Sequence, residues 1–401
     1  MRKKYILPTI ITTIILLMFF LYYPLVWYFQ SIQVLDEVVF VYCFLVLIYG
    51  MILKKIVGKE RKIIINSIVL ITIIIIIGLI SNFRSELIIL KSAILIDIVG
   101  MMKAPVIFYF FLFRVRKEVK EDVIKILTPL AKIYVLVALV FGVVNIFFDF
   151  GMSFDVRYGM RSFQFFYTNP AALFERLLMC LVLITAGKTR HKKIFVFMLF
   201  FIGLLTLRGN AFGTIGVGII AYMILNNDKT SILKLLPMGL MALLLGYAQI
   251  NEYFLENESP RSLLLKGGIT LANENLPIGT GFATYGSDQA FKHYSINYYR
   301  FGFDKVWALS SVGGITANDN FWPMLLGQFG YIGLICYMCL ILIQFQFFLS
   351  LNIDKNRKTV ILILLGFLLI SSMGNAIYTS ISSVGLYVFL SLLYCSEMND
   401  Y

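Results

Sequence analysis

Charge is scarce in this chain. Only 14% of its 401 residues are Asp, Glu, Lys or Arg, and 60% are hydrophobic. A soluble domain carries roughly a quarter charged and about half apolar residues, so a soluble fold is excluded. Histidine is scarcer still, at two residues, His191 and His293. No Asp-x-Asp stands in the predicted outer loops, and its nearest substitute, Glu256-Asn257-Glu258, reads better as a solvated loop. A metal site is therefore poorly supported. Neither a phosphate-binding P-loop nor a dinucleotide fingerprint occurs. ATP-driven transport and metal-dependent transfer from a nucleotide sugar both lose ground. The five cysteines, Cys43, Cys180, Cys336, Cys339 and Cys395, all fall in apolar runs. Cys336 and Cys339 form a C-x-x-C inside a predicted membrane helix, where they read as packing residues rather than a redox pair.

What is abundant is the long apolar run. A membrane-crossing helix needs about 20 predominantly apolar residues. Solid runs such as IVLITIIIIIGLI at 68–80 exclude a β-barrel, whose strands alternate weakly. The expected fold class is an all-α polytopic membrane protein forming one integral domain over 1–401. Spans are predicted at about 6–29, 34–53, 63–80, 88–113, 123–148, 170–187, 194–207, 211–226, 233–250, 321–350, 359–374 and 378–395, twelve in all. MRKK and the apolar stretch behind it look like a signal sequence. The apolar core is too long and no small-x-small cleavage site follows, so it reads as an uncleaved first span.

The net charge of +13 is read as a topology signal rather than a nucleic-acid footprint. Lys and Arg cluster at 2–4, 54–62, 114–125, 188–193 and 355–358, every second loop, while the short outer loops hold few. The positive-inside rule then places both termini in the cytoplasm and the protein in the cell membrane. The fourth span is interrupted by Lys91, Asp97 and Lys103. Charges in hydrocarbon are costly, so either this span starts near Ile94 or its helix lines a cavity.

One long polar segment breaks the pattern. It starts at Asn251, and its outer-loop portion, 251–320, lies between the ninth and tenth spans on the outer face. Aromatics are dense from 282 to 303, with Tyr285, His293 and Arg300 among them. Such mixtures suit sugar binding and also suit ordinary interfacial loops. The glycines of Pro277-Ile278-Gly279-Thr280-Gly281 and Gly286 allow tight turns and close backbone approach. In the outer loop 149–170, Arg157 and Arg161 sit among aromatics, fitting either interfacial anchoring or substrate contact. In the turn at 204–218, Arg208 stands beside Gly209, Gly213, Gly216 and Gly218. The glycines read as close helix packing. Arg208 either snorkels or holds an anion, since its fork matches phosphate oxygens.

LANENLPIGTGFATYGS, YSINYYRFGFDKV and NDNFWPMLLGQFGYIG, taken in this order, resemble the signature region of the O-antigen polymerase and ligase family. The likeness is strongest to the Gram-positive branch that polymerises capsular and exopolysaccharide repeat units. The multispan layout matches across the chain, and the motifs cover about 200–335. Arg261 and Leu265 hold the spacing of the family's Arg-x-x-x-Leu. TLRGNA is similar to its Ser-Arg turn, with Arg208 as the arginine. Where the ligases carry a His followed eleven residues later by Gly, this chain has Asp319 and Gly330. That departure weakens a ligase reading and suits a polymerase.

The resemblance implies transfer of a growing glycan from undecaprenyl diphosphate to a hydroxyl of a lipid-linked repeat unit at the outer face. The enzyme would be inverting and metal-independent, with no cofactor and no nucleic-acid partner, working beside a chain-length regulator and a flippase. Arg208 and Arg261 are the expected diphosphate ligands and Asp319 the expected general base. Arg157, Arg161, Tyr285, His293 and Arg300 are the expected substrate contacts. Asp319 has a second reading as a helix N-cap in Asn318-Asp319-Asn320. The competing functions are a ligase-like glycan transferase and a lipid-linked oligosaccharide flippase. A flippase generally has short loops and internal repeats, and no repeat is found here.

Overall fold

The computed structural model describes residues 5–53, 58–85, 87, 89–226, 259–313 and 320–394. The predicted span at 233–250, and with it Glu252, Glu256, Glu258 and Asp319, lies outside them. The chain is overwhelmingly helical: α1 (Ile6–Phe20), α2 (Tyr22–Tyr28), α3 (Leu35–Ile52), α4 (Gly58–Arg84), α5 (Lys91–Phe113), α6 (Lys117–Phe147), α7 (Pro170–Ala186), α8 (Lys192–Leu205) and α9 (Gly209–Asn226). After the undescribed stretch come α10 (Pro260–Glu274), α11 (Asp288–Lys292), α12 (Ile296–Arg300), α13 (Phe321–Ser350), α14 (Lys355–Ser371) and α15 (Ile381–Leu390). A small hairpin, β1 (Ser153–Arg157) and β2 (Met160–Phe163), interrupts the helices. Its turn holds Tyr158 at φ 52° and Gly159 at φ 74°, the left-handed pair of a two-residue hairpin turn.

The membrane character holds, and the count of spans is smaller than expected. Among the described residues five helices are long and apolar enough to cross a membrane, or six if α1 and α2 form one broken span. Several predicted spans are helices that stop short. At 1.5 Å per residue, the 17 residues of α7 reach about 26 Å, the short end of the range for a crossing helix. Helix α7 is buried along nearly all of Pro170 to Thr185, so its apolar side chains pack inside the protein.

Two predicted single spans are broken, each for a local reason. The first bends by 81° between α1 and α2. Pro24 has no N–H to give Phe20, and its ring crowds that carbonyl. Arg176 fills the gap: Nε donates to Phe20 O at 3.2 Å and Nη2 to Phe19 O at 3.3 Å. Arg176 is itself buried, paired with Glu175 at 2.6 Å, and Ser382 donates to Glu175 at 2.8 Å. The second break is Gly330, which leaves helical geometry at φ 60°, ψ −160° in the middle of α13. The loop before α11 enters this break. Thr280 N and Gly281 N donate to Gly327 O and Gln328 O at 2.9 and 2.8 Å. Gly279, at φ +69°, packs its backbone on Gly330.

The loop is stitched on its other side to α4 and α5. Asn82 exchanges two hydrogen bonds with Phe282, Ser81 donates to Ile278 O, and Ala283 N donates to Asp97 at 2.9 Å. Residues 279–287 are buried throughout, and each backbone group left unpaired there would cost roughly 1–3 kcal/mol. That accounts for Asp97. Helix α5 runs unbroken from Lys91, which is exposed, while Asp97 and Lys103 further along face protein. Lys103 pairs with Asp36 and lies 3.5 Å from Glu37.

Candidate functional site

Helices α9 and α14 pack closely because their glycines let them. A Cβ at Gly213 would lie 3.2 Å from Ile370, one at Gly218 2.9 Å from Ile363, and one at Gly366 2.8 Å from Val217. This bears out the packing reading of Gly213 and Gly218. It also brings the start of α9 to the end of α14, where the chain turns at 371–374.

That turn is a meeting point. Asn210, two residues after Arg208, donates from Nδ2 to Ser371 Oγ at 3.4 Å. Phe321 N donates to Ser372 O at 3.3 Å, and Trp322 Nε1 donates to Ser372 Oγ at 3.0 Å. The guanidinium of Arg261 lies over Gly374, with Nη2 3.9 Å from where a Cβ would stand. Arg261 is in the first turn of α10, whose N-cap Ser259 accepts from Ser262 N at 3.2 Å. Gly268, further along α10, sits directly on the Pro323 backbone. Asn210, Arg261 and the start of α13 come from regions far apart in sequence, and all three border one four-residue turn.

The hairpin reaches Arg208. Phe154 lies under the Arg208 guanidinium at 4.9 Å, and Asp155 is 3.9 Å from Arg208 Nη2. Asp155 also accepts from Arg157 Nε at 2.8 Å and from Ser162 Oγ. Burial pushes the Asp155 carboxyl up, but the Ser162 and Arg157 hydrogen bonds and the nearby guanidinium charges outweigh it and hold it below the usual carboxylate range. Arg157 and Arg208 thus share one carboxylate. Arg161 donates to Asn145 O at 3.4 Å and lies 3.9 Å from Asp149. Hydrogen bonds from Gly151 N and Ser153 Oγ keep the exposed Asp149 carboxyl low.

The remaining predicted contacts lie elsewhere. Tyr285 is 0% exposed at the centre of a small core of Leu264, Leu271, Ala290, Tyr298, Phe303 and Leu309. Its hydroxyl donates to Leu264 O at 2.6 Å, and burial raises its pKa well above the ordinary value. Arg300, 52% exposed, makes a two-pronged pair with Glu274 at 2.7 and 2.5 Å. Arg261 and Glu274 stand at opposite ends of α10, about 20 Å apart along its axis. His293 is exposed at the end of α11. The structure therefore brings Arg208 and Arg157 together at Asp155, sets Arg261 at the turn, and leaves Tyr285 and Arg300 in packing and pairing roles. Cys43, Cys180, Cys336 and Cys339 are free thiols.

No protein-family model matches this chain, and neither does any curated protein or solved structure.

Sequence reasoning passed over Asn210, Ser371, Ser372 and Trp322. Asn210 lies inside the TLRGNA stretch that singled out Arg208, so proximity in sequence was an available signal. Nothing in the sequence marked the Ser-Ser-Met-Gly turn. Asn320 was grouped with potential caps. It stands at the N-cap of α13, yet its side chain makes no capping bond.

Proposed function

We propose that this chain is a membrane-embedded polysaccharide repeat-unit polymerase. It transfers a growing glycan from undecaprenyl diphosphate to a hydroxyl of a lipid-linked repeat unit at the outer face of a multispan bundle with both ends in the cytoplasm. The observation that carries this reading is the approach of Arg261 and of Asn210, two residues after Arg208, to the turn at 371–374. Guanidiniums suit a diphosphate, whose departure from the anomeric carbon develops negative charge. The Asp155 carboxylate, anchored by Arg157 and Ser162, touches Arg208 only through a long, half-exposed contact, and such pairs contribute about 0–1 kcal/mol. A doubly charged phosphate group can take its place at little cost.

In this mechanism Arg208 and Arg261 hold the diphosphate. A carboxylate takes the proton of the attacking hydroxyl, and the glycan inverts at its anomeric carbon in a single displacement. Asp319, one residue before Asn320 and two before the α13 residue bound to Ser372, is the residue proposed for the base. Purified protein supplied with lipid-linked repeat units should yield polymer, and the yield should persist in EDTA. A protein that moves the intact lipid-linked unit across vesicles without lengthening it would be a flippase instead.

A further inference from the structure

Two amides at the turn have unused hydrogen-bonding atoms. Asn320 is 2% exposed, and neither its Oδ1 nor its Nδ2 has a hydrogen-bond partner. The buried Oδ1 of Asn210 is also without one, although its Nδ2 reaches Ser371. Asn210 contacts residue 371, and the residue after Asn320 is bonded to residue 372. The orphaned atoms thus flank the same turn that Arg261 overlies. Leaving a buried amide unpaired is destabilising, and an apolar side chain at position 320 would avoid that penalty. Asn210, Arg261 and Trp322 around the turn are each half-buried, as is Arg208 two residues before Asn210, so a ligand approaches on their side.

The chemistry of the orphaned atoms says what the ligand is. Two are carbonyl oxygens, which only accept hydrogen bonds. An ionised phosphate has no donor to offer them, and beside it they would face repulsion. A sugar hydroxyl both donates and accepts, so a ring with neighbouring hydroxyls satisfies both carbonyls and the Asn320 Nδ2 together. We infer that Asn210 and Asn320 form a sugar-hydroxyl subsite adjoining the arginines, so that the site takes a glycosyl phosphate rather than the phosphate alone. This inference rests on the anion-binding reading of Arg208 and Arg261 given above, and it adds the group bonded to the anion.

The test uses full-length protein in detergent with two probes, a hexose 1-phosphate and inorganic phosphate, compared by thermal shift. The natural chain should bind the hexose phosphate more tightly, by roughly two- to tenfold for each hydrogen bond gained. Asn320→Leu, of similar volume, should melt no lower than the natural chain and should bind both probes alike. Equal binding of both probes by the natural chain would overturn the subsite. So would an Asn320→Leu protein that melts lower and still prefers the sugar phosphate, which would make Asn320 structural. If leucine does not fit, Asn320→Ala serves. Its cavity lowers the melting temperature, and lost preference for the hexose phosphate still supports the subsite, whereas a retained preference overturns it. The polymerase reading is judged separately. Failure to make polymer from lipid-linked repeat units removes that reading while the preference for hexose phosphate stands or falls alone.

Discussion

Arg208 is the residue on which most contacts of the site depend. It lies over Phe154, beside Asp155, and two positions before Asn210. Arg208→Ala and Arg261→Ala should each abolish polymer while the protein still inserts and folds. Arg208→Lys should restore little, because an ammonium cannot present two parallel donors to a phosphate. Polymer yield from membranes with matched protein levels checks both, and full activity in the lysine variant would reduce Arg208 to an anchor. Asp319 has a different signature. Asn caps a helix about as well as Asp, so a capping role predicts near-normal polymer from Asp319→Asn. A base predicts a loss of at least about a hundredfold in rate with an unchanged melting curve. His at this position is a competent base near neutral pH and should rescue in part. Near-normal polymer from Asp319→Asn would remove the base assignment.

At the scale of elements, the break in α13 decides where the loop can go. Gly330 combines φ 60° with ψ −160°, a region open essentially to glycine alone. A Cβ there would strike Pro277 O. Gly330→Ala should therefore destabilise by about 1–3 kcal/mol from backbone strain, plus whatever the steric clash adds. The 276–287 loop should lose protection from hydrogen exchange before the rest of the molecule does. An alanine variant with unchanged melting temperature and exchange would show that the break is not needed. The spacing from Asp319 to Gly330 thus has a physical sense at its second position. The glycine opens the helix so that Thr280 and Gly281 can bond to the carbonyls of Gly327 and Gln328.

At the scale of the whole molecule, the polar segment is a folded part of the bundle. Helix α10 lies on α13, and the buried loop joins α13 to α4 and α5 through Asn82 and Asp97. The charge bias predicts that the 259–313 segment and the hairpin face the outside. Single cysteines placed in a cysteine-free background at 157–160 and 292–300 should react with an impermeant thiol reagent from outside the cell. Cysteines at 114–117 and 188–193 should not. Labelling of the 292–300 positions only from the inside would invert the topology and end the proposed mechanism.

The solvent class was legible in the sequence because hydrophobicity is additive. Counting apolar residues suffices to call a membrane helix, so α3 to α6 and α13 emerged close to their observed bounds. The small residues of α9 were legible too, since closely packed helices call for them. The arginines Arg208 and Arg261 could be chosen by chemistry and motif spacing. Other features depend on contacts between residues far apart in sequence. Apolarity alone does not tell a helix packed inside the protein, such as α7, from one that faces lipid. Asp97 looked like a break in its span because its partner, Ala283 N, is 186 residues away. Tyr285 and Arg300 looked available because the sequence does not display Leu264 O or Glu274 beside them. The turn at 371–374 carries no chemical signal of its own. Only tertiary packing of α9, α10, α13 and α14 makes it the place where Arg261 and two amides with unused hydrogen-bonding atoms meet.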